Sequence, residues 1–586
     1  MATLTALGAS NGYIVGVNSI DTSGYVAVFP GFQKVYLADG RTYVNHGYNR
    51  IDFINTRITG VPSGALNVGE VVTQATSGAT GYYGECMDIK LTGTPSGAFT
   101  VGELVTQADT NAKGYVAASE AGAIYVFPIT YTLVTPLLFT TAKVVTGATS
   151  GKTITPSAVS SWYIHNIDGT ADKGSAGLYH FIYRTTTVEF DNSHIITGSD
   201  SGKTITPSAV TAPPHWLPWI PYAGIMPDGG SNIGCVCFGR VFLNSMLSPH
   251  LWYCSRVYSP LDWDSGQTDV AAATFSQNAK AGEVGDAIVA MISYKDHYLV
   301  WGCANEMWLL QSDPLMGGIN RCISRATGIF GPNSYCWDDK NNLYFMGTDG
   351  IYVLSADSII NAAPPQNITK QHIPKLINSL GLNRRTDRVV MGYDKKRYGI
   401  KVSVTQQDGQ WATNWWLDLR TGGLFPEKFA SSQDAASLFY FDSYDADKRG
   451  LLIGGYDGYI RKEDEATKTD DGDNAIEAHV AIGPFTAPEP REQVGINEIS
   501  LVLGEESNGV TVEYYRGTSA DEVVSNVLNE ETAFSTKTLA GDSLQNSIID
   551  RVSGRAVAVK IKNENAEESF SMEQINIAFS SEGRKK

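Results

Sequence analysis

Short runs of aromatic and β-branched residues alternate with Asn, Asp and Gly along most of this chain. Asn341–Leu354 (NNLYFMGTDGIYVL) shows the unit most clearly. A polar turn at 338–342 leads into Leu343–Met346, a Gly-Thr-Asp-Gly turn follows at 347–350, and Ile351–Leu354 runs back. Apolar runs bounded by turn formers predict a β-hairpin, and Asp349-Gly350 suits the left-handed backbone of a tight turn. The same grammar recurs in LLIGGYDGYI (451–460), HYLVWGCANEMWLL (297–310), VVMGYDKKRYGIKV (389–402) and RVFLNSMLSPHLWYC (240–254). Strand pairs every few tens of residues predict propeller blades of four short strands. Helical periodicity is confined to two short stretches, Val284–Ile292 and Ile373–Leu380.

The expected fold is all-β: a β-propeller over 216–465, small β-modules inserted ahead of it, and a β-sandwich behind it over 474–581. Residues 1–57 read as strands that close the propeller: Tyr13–Val17, Tyr25–Phe29, Lys34–Leu37 and Arg41–Val44. In the last domain Val510, Val512 and Tyr514 alternate with polar neighbours, as do Val557, Val559 and Ile561. Such alternation predicts one buried and one solvated sheet face. The charged stretch RKEDEATKTDDGDNA (461–475) marks the boundary before it.

Two internal repeats stand out between 58 and 215. ITGVPSGALNVGEVVTQATSGATGY at 58 returns as LTGTPSGAFTVGELVTQADTNAKGY at 91, an offset of 33. Each copy is too small to bury a core alone, so 58–117 is expected to be a tandem of modules stacked on each other. VTGATSGKTITPSAV at 145 returns as ITGSDSGKTITPSAV at 196, placing a second insertion at 118–215. Gly151-Lys152-Thr153 and Gly202-Lys203-Thr204 end like a phosphate-binding loop. The glycine spacing is one residue short, and Pro156 and Pro207 forbid the helix that a phosphate cradle needs. TAPPHWLPWIPYA (211–223) reads as a stiff connector whose Trp216 and Trp219 pack on the propeller or offer a stacking platform to a sugar.

Length (586 residues) requires several domains, and 42% hydrophobic residues suffice for real cores. The net charge of −17 disfavours tight nucleic-acid binding, which depends on Lys and Arg neutralising phosphate. Seven scattered Cys carry no zinc spacing and read as reduced, buried thiols. The N-terminus shows no signal-peptide pattern, and the most apolar run, 124–139, is too short and too Pro-broken to span a bilayer.

Chemistry-bearing constellations are sparse. Asp262 and Asp264 flank Trp263, but carboxylates at i and i+2 of a strand lie on one side of a substrate, not on two. Asp442, Asp445 and Asp447 lack the closing Glu of a calcium loop. The nine His are isolated. No catalytic, cofactor or metal residue is expected. The one basic cluster, Arg384, Arg385, Arg388, Lys395, Lys396 and Arg397, is the candidate contact for a partner or DNA.

The layout, the phrase HLWYCSRVYSPLDWD (250–264), the VGEVVTQATSGATG module and the Gly-Arg-Lys-Lys ending resemble the tail nozzle, or tail tubular protein B, family of short-tailed bacteriophages. That resemblance implies a non-enzymatic virion protein made in the host cytoplasm and resident in the tail. It implies a ring of six copies below the portal or head–tail adaptor, anchoring tail fibres or spikes and passing double-stranded DNA transiently during ejection. Two alternatives are a receptor-binding or fibre protein, expected as a trimer, and a carbohydrate-active propeller enzyme, which needs paired acids at the central opening.

Overall fold

A computed structural model describes residues 2–4, 20–21, 23–42, 47–63, 66, 70–83, 89–100, 103–128, 139–161, 179–213, 215–219, 221, 223–227, 229–347, 349–370, 381–406, 412–429, 434–446, 448–463, 469–470, 474–487, 489, 492–541 and 546–583. Nearly all regular structure is β. The described helices are Ala356–Ile360 and Ala520–Leu528, each started by a serine that caps the first turn. None is long and apolar enough to cross a membrane. The helix expected at Val284–Ile292 is instead a strand, Ile288–Tyr294, whose β-branched residues pair with Tyr298–Cys303. Ile373–Leu380 and the strand expected at Tyr13–Val17 lie outside the described residues, as does part of Arg41–Val44.

The chain divides into two compact units, one of 7–391 and one of 1–6 with 392–586. The first contains four four-stranded antiparallel sheets that follow one another along the sequence. One joins Ala27–Gly31, Lys34–Ala38, Tyr48–Asp52 and, across a long insertion, His215–Pro218. The next runs from Gly234–Cys237 to Thr274–Phe275, the third from Ile288–Tyr294 to Ile319–Ser324, and the fourth from Tyr335–Trp337 to Gln366–Asn367. The hairpin Leu343–Met346/Ile351–Leu354 forms as its sequence predicts. A fifth such sheet, Asp387–Asp394 to Leu424–Glu427, begins at the division between the units.

Cores are aromatic where sheets meet. Trp252 and Trp301 stack at 5.6 Å in one, with the indole nitrogens satisfied by Gly282 O and Asn320 Oδ1. Trp219 is fully buried among Phe29, Tyr36, Tyr48 and Trp263, so it is a core residue and not a sugar platform. Burying one such side chain stabilises by about 2–3 kcal/mol. Nearby, Arg240 is wholly buried, with Nε 2.6 Å from Asp313 Oδ2 and its other nitrogens donating to the carbonyls of Ser255, Val270 and Ala272. It pins the loop that carries Asp262-Trp263-Asp264.

The insertion between Asp52 and His215 contains a closed barrel and, inserted within its sequence, a second sheet of matching strand order. Thr56–Pro62, Val71–Gln74 and Ala79–Tyr83 join Tyr179–Arg184, Ile196–Gly198 and Thr204–Thr211 in a closed six-stranded barrel. Between Tyr83 and Tyr179 of this outer barrel lies the inner one. Ile89–Thr92, Leu104–Gln107 and Lys113–Glu120 join Ala123–Pro128, Val145–Gly147, Thr153–Ile154 and Ala158–Ser161 in the same order, as an open barrel of seven strands whose end strands, Thr153–Ile154 and Ala158–Ser161, together take the place of Thr204–Thr211. Pairing therefore cuts the segment differently from the expected 58–117 and 118–215. Each copy of the first repeat is completed by a copy of the second. The twins do not share a core: Ile58, Val72, Ile182 and Ile205 pack in one, Leu91, Val105, Val126 and Ile154 in the other.

The second unit holds a sheet of Ala435–Phe441, Gly450–Gly455 and Ile460–Lys462, to which Ala2–Leu4 adds as the fourth strand. Beyond it, a four-stranded sheet (Ala478–Thr486, Val510–Gly517, Ser535–Leu539, Ala556–Asn563) and a three-stranded one (Glu492–Leu503, Asn546–Gly554, Met572–Gly583) enclose one core of Ile496, Ile499, Leu501, Val512, Val559 and Ile561. The alternation read in the sequence supplies that core.

Candidate functional site

Six cations within fourteen residues look like a patch in the sequence. The strand Asp387–Asp394 separates them. At ~3.3 Å per residue, Arg388 and Lys395 stand about 23 Å apart along it. Arg384 donates to Ala304 O at 2.6 Å and lies over the Phe330 ring. Burial lowers its pKa, with Asp286 and Tyr25 opposing. Arg388 covers the Tyr25 ring and donates to Gly24 O at 3.3 Å. At the other end Lys395 pairs with Asp442 at 3.4 Å, and Arg397 donates to Glu463 at 2.7 Å while stacking on Trp416 at 4.4 Å. Arg385 and Lys396 are exposed. The structure does not bring the six together, and Arg384, Arg388, Lys395 and Arg397 among them are engaged by carbonyls, carboxylates or rings.

Sequence reasoning missed the ion cluster beside Arg397. Lys401 is completely buried, its Nζ 3.0 Å from Glu427 and also bonded to Glu463. Burial pushes the Glu463 carboxyl up, but Lys401 and Arg397 outweigh it and hold the group below its ordinary range. The signal was a lone Lys inside GIKVSV, a strand buried at almost every position.

The Gly-Lys-Thr loops prove to be anion cradles filled from within. In the inner barrel, Glu103 accepts from the backbone N–H groups of Thr149 (2.9 Å) and Ser150 (2.8 Å), from Ser150 Oγ (2.6 Å) and from Thr100 N (2.7 Å). In the outer barrel, Glu70 accepts from Asp200 N (3.0 Å), Ser201 N (2.9 Å) and Ser201 Oγ (2.8 Å). A Cβ on Gly147 or Gly198 would come within 2.6 Å or 2.5 Å of these carboxylates, which accounts for both glycines. Burial raises the Glu103 pKa, and the hydrogen bonds from Ser150, Thr100 and Thr149 more than reverse that. The repeated Val-Gly-Glu phrase and the repeated Ser-Gly-Lys phrase are thus two halves of one interaction. Gln74 and Gln107, also fully buried, tie each barrel to its distant half: their side chains bond the backbone of 191 and 194, and of 140 and 143.

Among the described residues, one buried polar pair is present in the outer barrel alone. His180 Nε2 donates to Gly60 O (3.1 Å), leaving Nδ1 to accept from Tyr83 Oη at 2.6 Å. Burial lowers the His180 pKa to about 4, against the opposing bond to Gly60. The register places Ile124 and Val116 at the matching inner positions.

The acidic candidates are turns. Asp264 accepts from Gly266 N and Gln267, and Asp262 from Asp264 N. Asp445 pairs with Lys448, while Asp447 lies outside the described residues. Among the described residues no three His, Cys, Asp or Glu are grouped to hold a metal. Burial drives the thiols of Cys237 and Cys254 up to about 12, so neither is a nucleophile at neutral pH.

No family model matches the chain, and no curated protein does. Solved structures give distant likenesses. An extracellular domain, BT4673, from B. thetaiotaomicron is 10% identical over 95% of this chain and 86% of its own, with a TM-score of 0.28. Kluyveromyces lactis Hsv2 is 6% identical over 69% of this chain and 97% of its own, at 0.22. The dihydro-heme d1 dehydrogenase NirN is 11% identical over 77% of each chain, at 0.24. At such scores none of them bears on what this chain does.

Proposed function

We propose that the chain is a non-enzymatic, ring-forming subunit of the tail nozzle of a short-tailed phage. In this reading the successive four-stranded sheets are propeller blades, the last completed by Ala2–Leu4, and the two-sheet unit after Lys462 is a β-sandwich. Six copies extend the ejection channel below the portal or adaptor and anchor fibres or spikes.

One observation carries the conduit role: the chain is acidic, and the basic residues flanking Asp387–Asp394 are split to its two ends and largely tied to partners of the same chain. Each phosphate gripped by a free Lys or Arg tightens DNA binding and makes it more salt-sensitive. A wall without such grips lets DNA leave. Coulomb repulsion screened over about 8 Å at physiological salt keeps the duplex from adhering.

Native mass measurement and electron microscopy of the purified chain test this. Six subunits in a ring is the expected result. A monomer at every concentration, or hydrolysis of a polysaccharide abolished by one carboxylate substitution, overturns it.

A further inference from the structure

The outer barrel carries an ordered surface that faces solvent. Cross-strand partners on a sheet share a face. Thr204 pairs with Thr197, Thr197 with Thr73, and Thr73 with Thr80. Thr80 Oγ1 lies 3.0 Å from Thr185 Oγ1. Five hydroxyl side chains therefore follow one another in one row, four on neighbouring strands and Thr185 just past the end of Tyr179–Arg184, at about 4.8 Å per step. All five reach solvent to some degree.

A second row runs beside the first, two residues along each strand. Val71 pairs with Tyr82, and Tyr82 with Tyr183. These side chains are 41%, 48% and 46% exposed, a high value for three adjacent large apolar groups on a barrel wall. Neither row contains an ionised side chain, in a chain of net charge −17.

We propose that this wall binds a neutral saccharide. A pyranose ring offers an apolar C–H face and a rim of hydroxyls. The two tyrosine rings match the face, and the threonine row matches the rim, since each hydroxyl both donates and accepts. The absence of charge selects an uncharged polymer over an acidic glycan or a nucleic acid. The inner barrel supplies the contrast. Its equivalent row reads Thr153, Thr146, Thr106, Lys113, so an ammonium group stands where Thr80 stands. The outer wall is therefore assigned as the site. This proposal rests on the barrel alone and holds or fails independently of the nozzle reading.

The test uses the full chain on an array of neutral gluco-, manno-, galacto- and N-acetylglucosamine oligosaccharides beside uronate and sialylated ones. Neutral oligomers should be retained. Tyr82→Ala with Tyr183→Ala should weaken retention by about tenfold or more, Thr80→Lys by a similar factor, and Tyr82→Phe by less than about twofold. All these side chains are surface groups, so circular dichroism should be unchanged. Retention of acidic oligomers only, no neutral retention above the double alanine variant, or a changed sedimentation coefficient in that variant (which marks a surface for another copy) overturns the proposal.

Discussion

The two barrels share strand order, a glutamate cradle and a glutamine tie, yet among the described residues only the outer one buries an imidazole. Where the inner barrel packs Ile124 against Val116, the outer packs His180 against Tyr83 and Gly60 O. The difference teaches that the architecture is set by the features both barrels keep. The cradle closes the distant halves onto each other, and the central pair is free to be apolar or polar provided every polar atom is satisfied.

The largest effect should come from cutting across the nesting. Deleting 58–115 removes half of each barrel and should abolish protection of 123–161 and 179–211 in hydrogen exchange. Deleting 89–161 with a short linker should leave the outer barrel protected. Intact protection in the first deletion would mean that each repeat folds without its partner half.

Next in size is loss of a cradle carboxylate. Glu103→Ala strands two loop N–H groups and should cost about 3 kcal/mol, unprotecting 89–161 while sparing the outer barrel. Glu70→Ala should do the converse, because its partners are at 200–201. Exchange mass spectrometry of the two variants reads both.

Acid should then separate the barrels. The folded His180 pKa, about 4, lies below its unfolded value of 6.5, so the neutral form is the one that folds. Stability is full above pH 6.5 and falls with decreasing pH as the unfolded state alone takes up the proton. By pH 4 the loss reaches about 3 kcal/mol. Protection of 179–211 should decline across that window, while the inner barrel, with Ile124 in place of the imidazole, should hold until its carboxylates titrate. Equal decline of both would refute the assignment.

The smallest change should follow from transplanting the inner pair. His180→Ile with Tyr83→Val should shift neutral-pH stability by less than about 1.5 kcal/mol and erase the acid dependence. Thermal melts at pH 7 and pH 5 suffice to check it.

Much of the fold was legible before any coordinates. Alternation and Asp-Gly turns marked hairpins at 343–354 and 451–460, and offsets of 33 and 51 marked the repeats. What the repeats could not disclose was partnership. Identity tells which segments have the same shape, whereas barrel closure joins Ile58 to Val210 across 151 intervening positions. Glu103 and Ser150 are each conspicuous in their own repeat, but nothing local says that one fills the loop of the other. The cations at 384–397 show the opposite case. Closeness along the chain is not closeness in space when an extended strand lies between. Lys401 was overlooked because a charged residue in a buried strand reads as an interruption until its two carboxylate partners, 26 and 62 residues further on, are seen.

The pairing of Ala2–Leu4 with Ile460–Lys462 also sets a timetable for synthesis. At roughly 5–20 residues per second, the first strand waits about 20–90 s on the ribosome for its partner to emerge. The inner sheet is complete by Ser161, the outer barrel closes at Thr211, and the sheet around it at Pro218. Each bracket shuts only after the one inside it, so Ala2–Leu4 stays unpaired until Ile460–Lys462 has emerged. A chaperone that shields that edge would have its longest engagement with Ala2–Leu4.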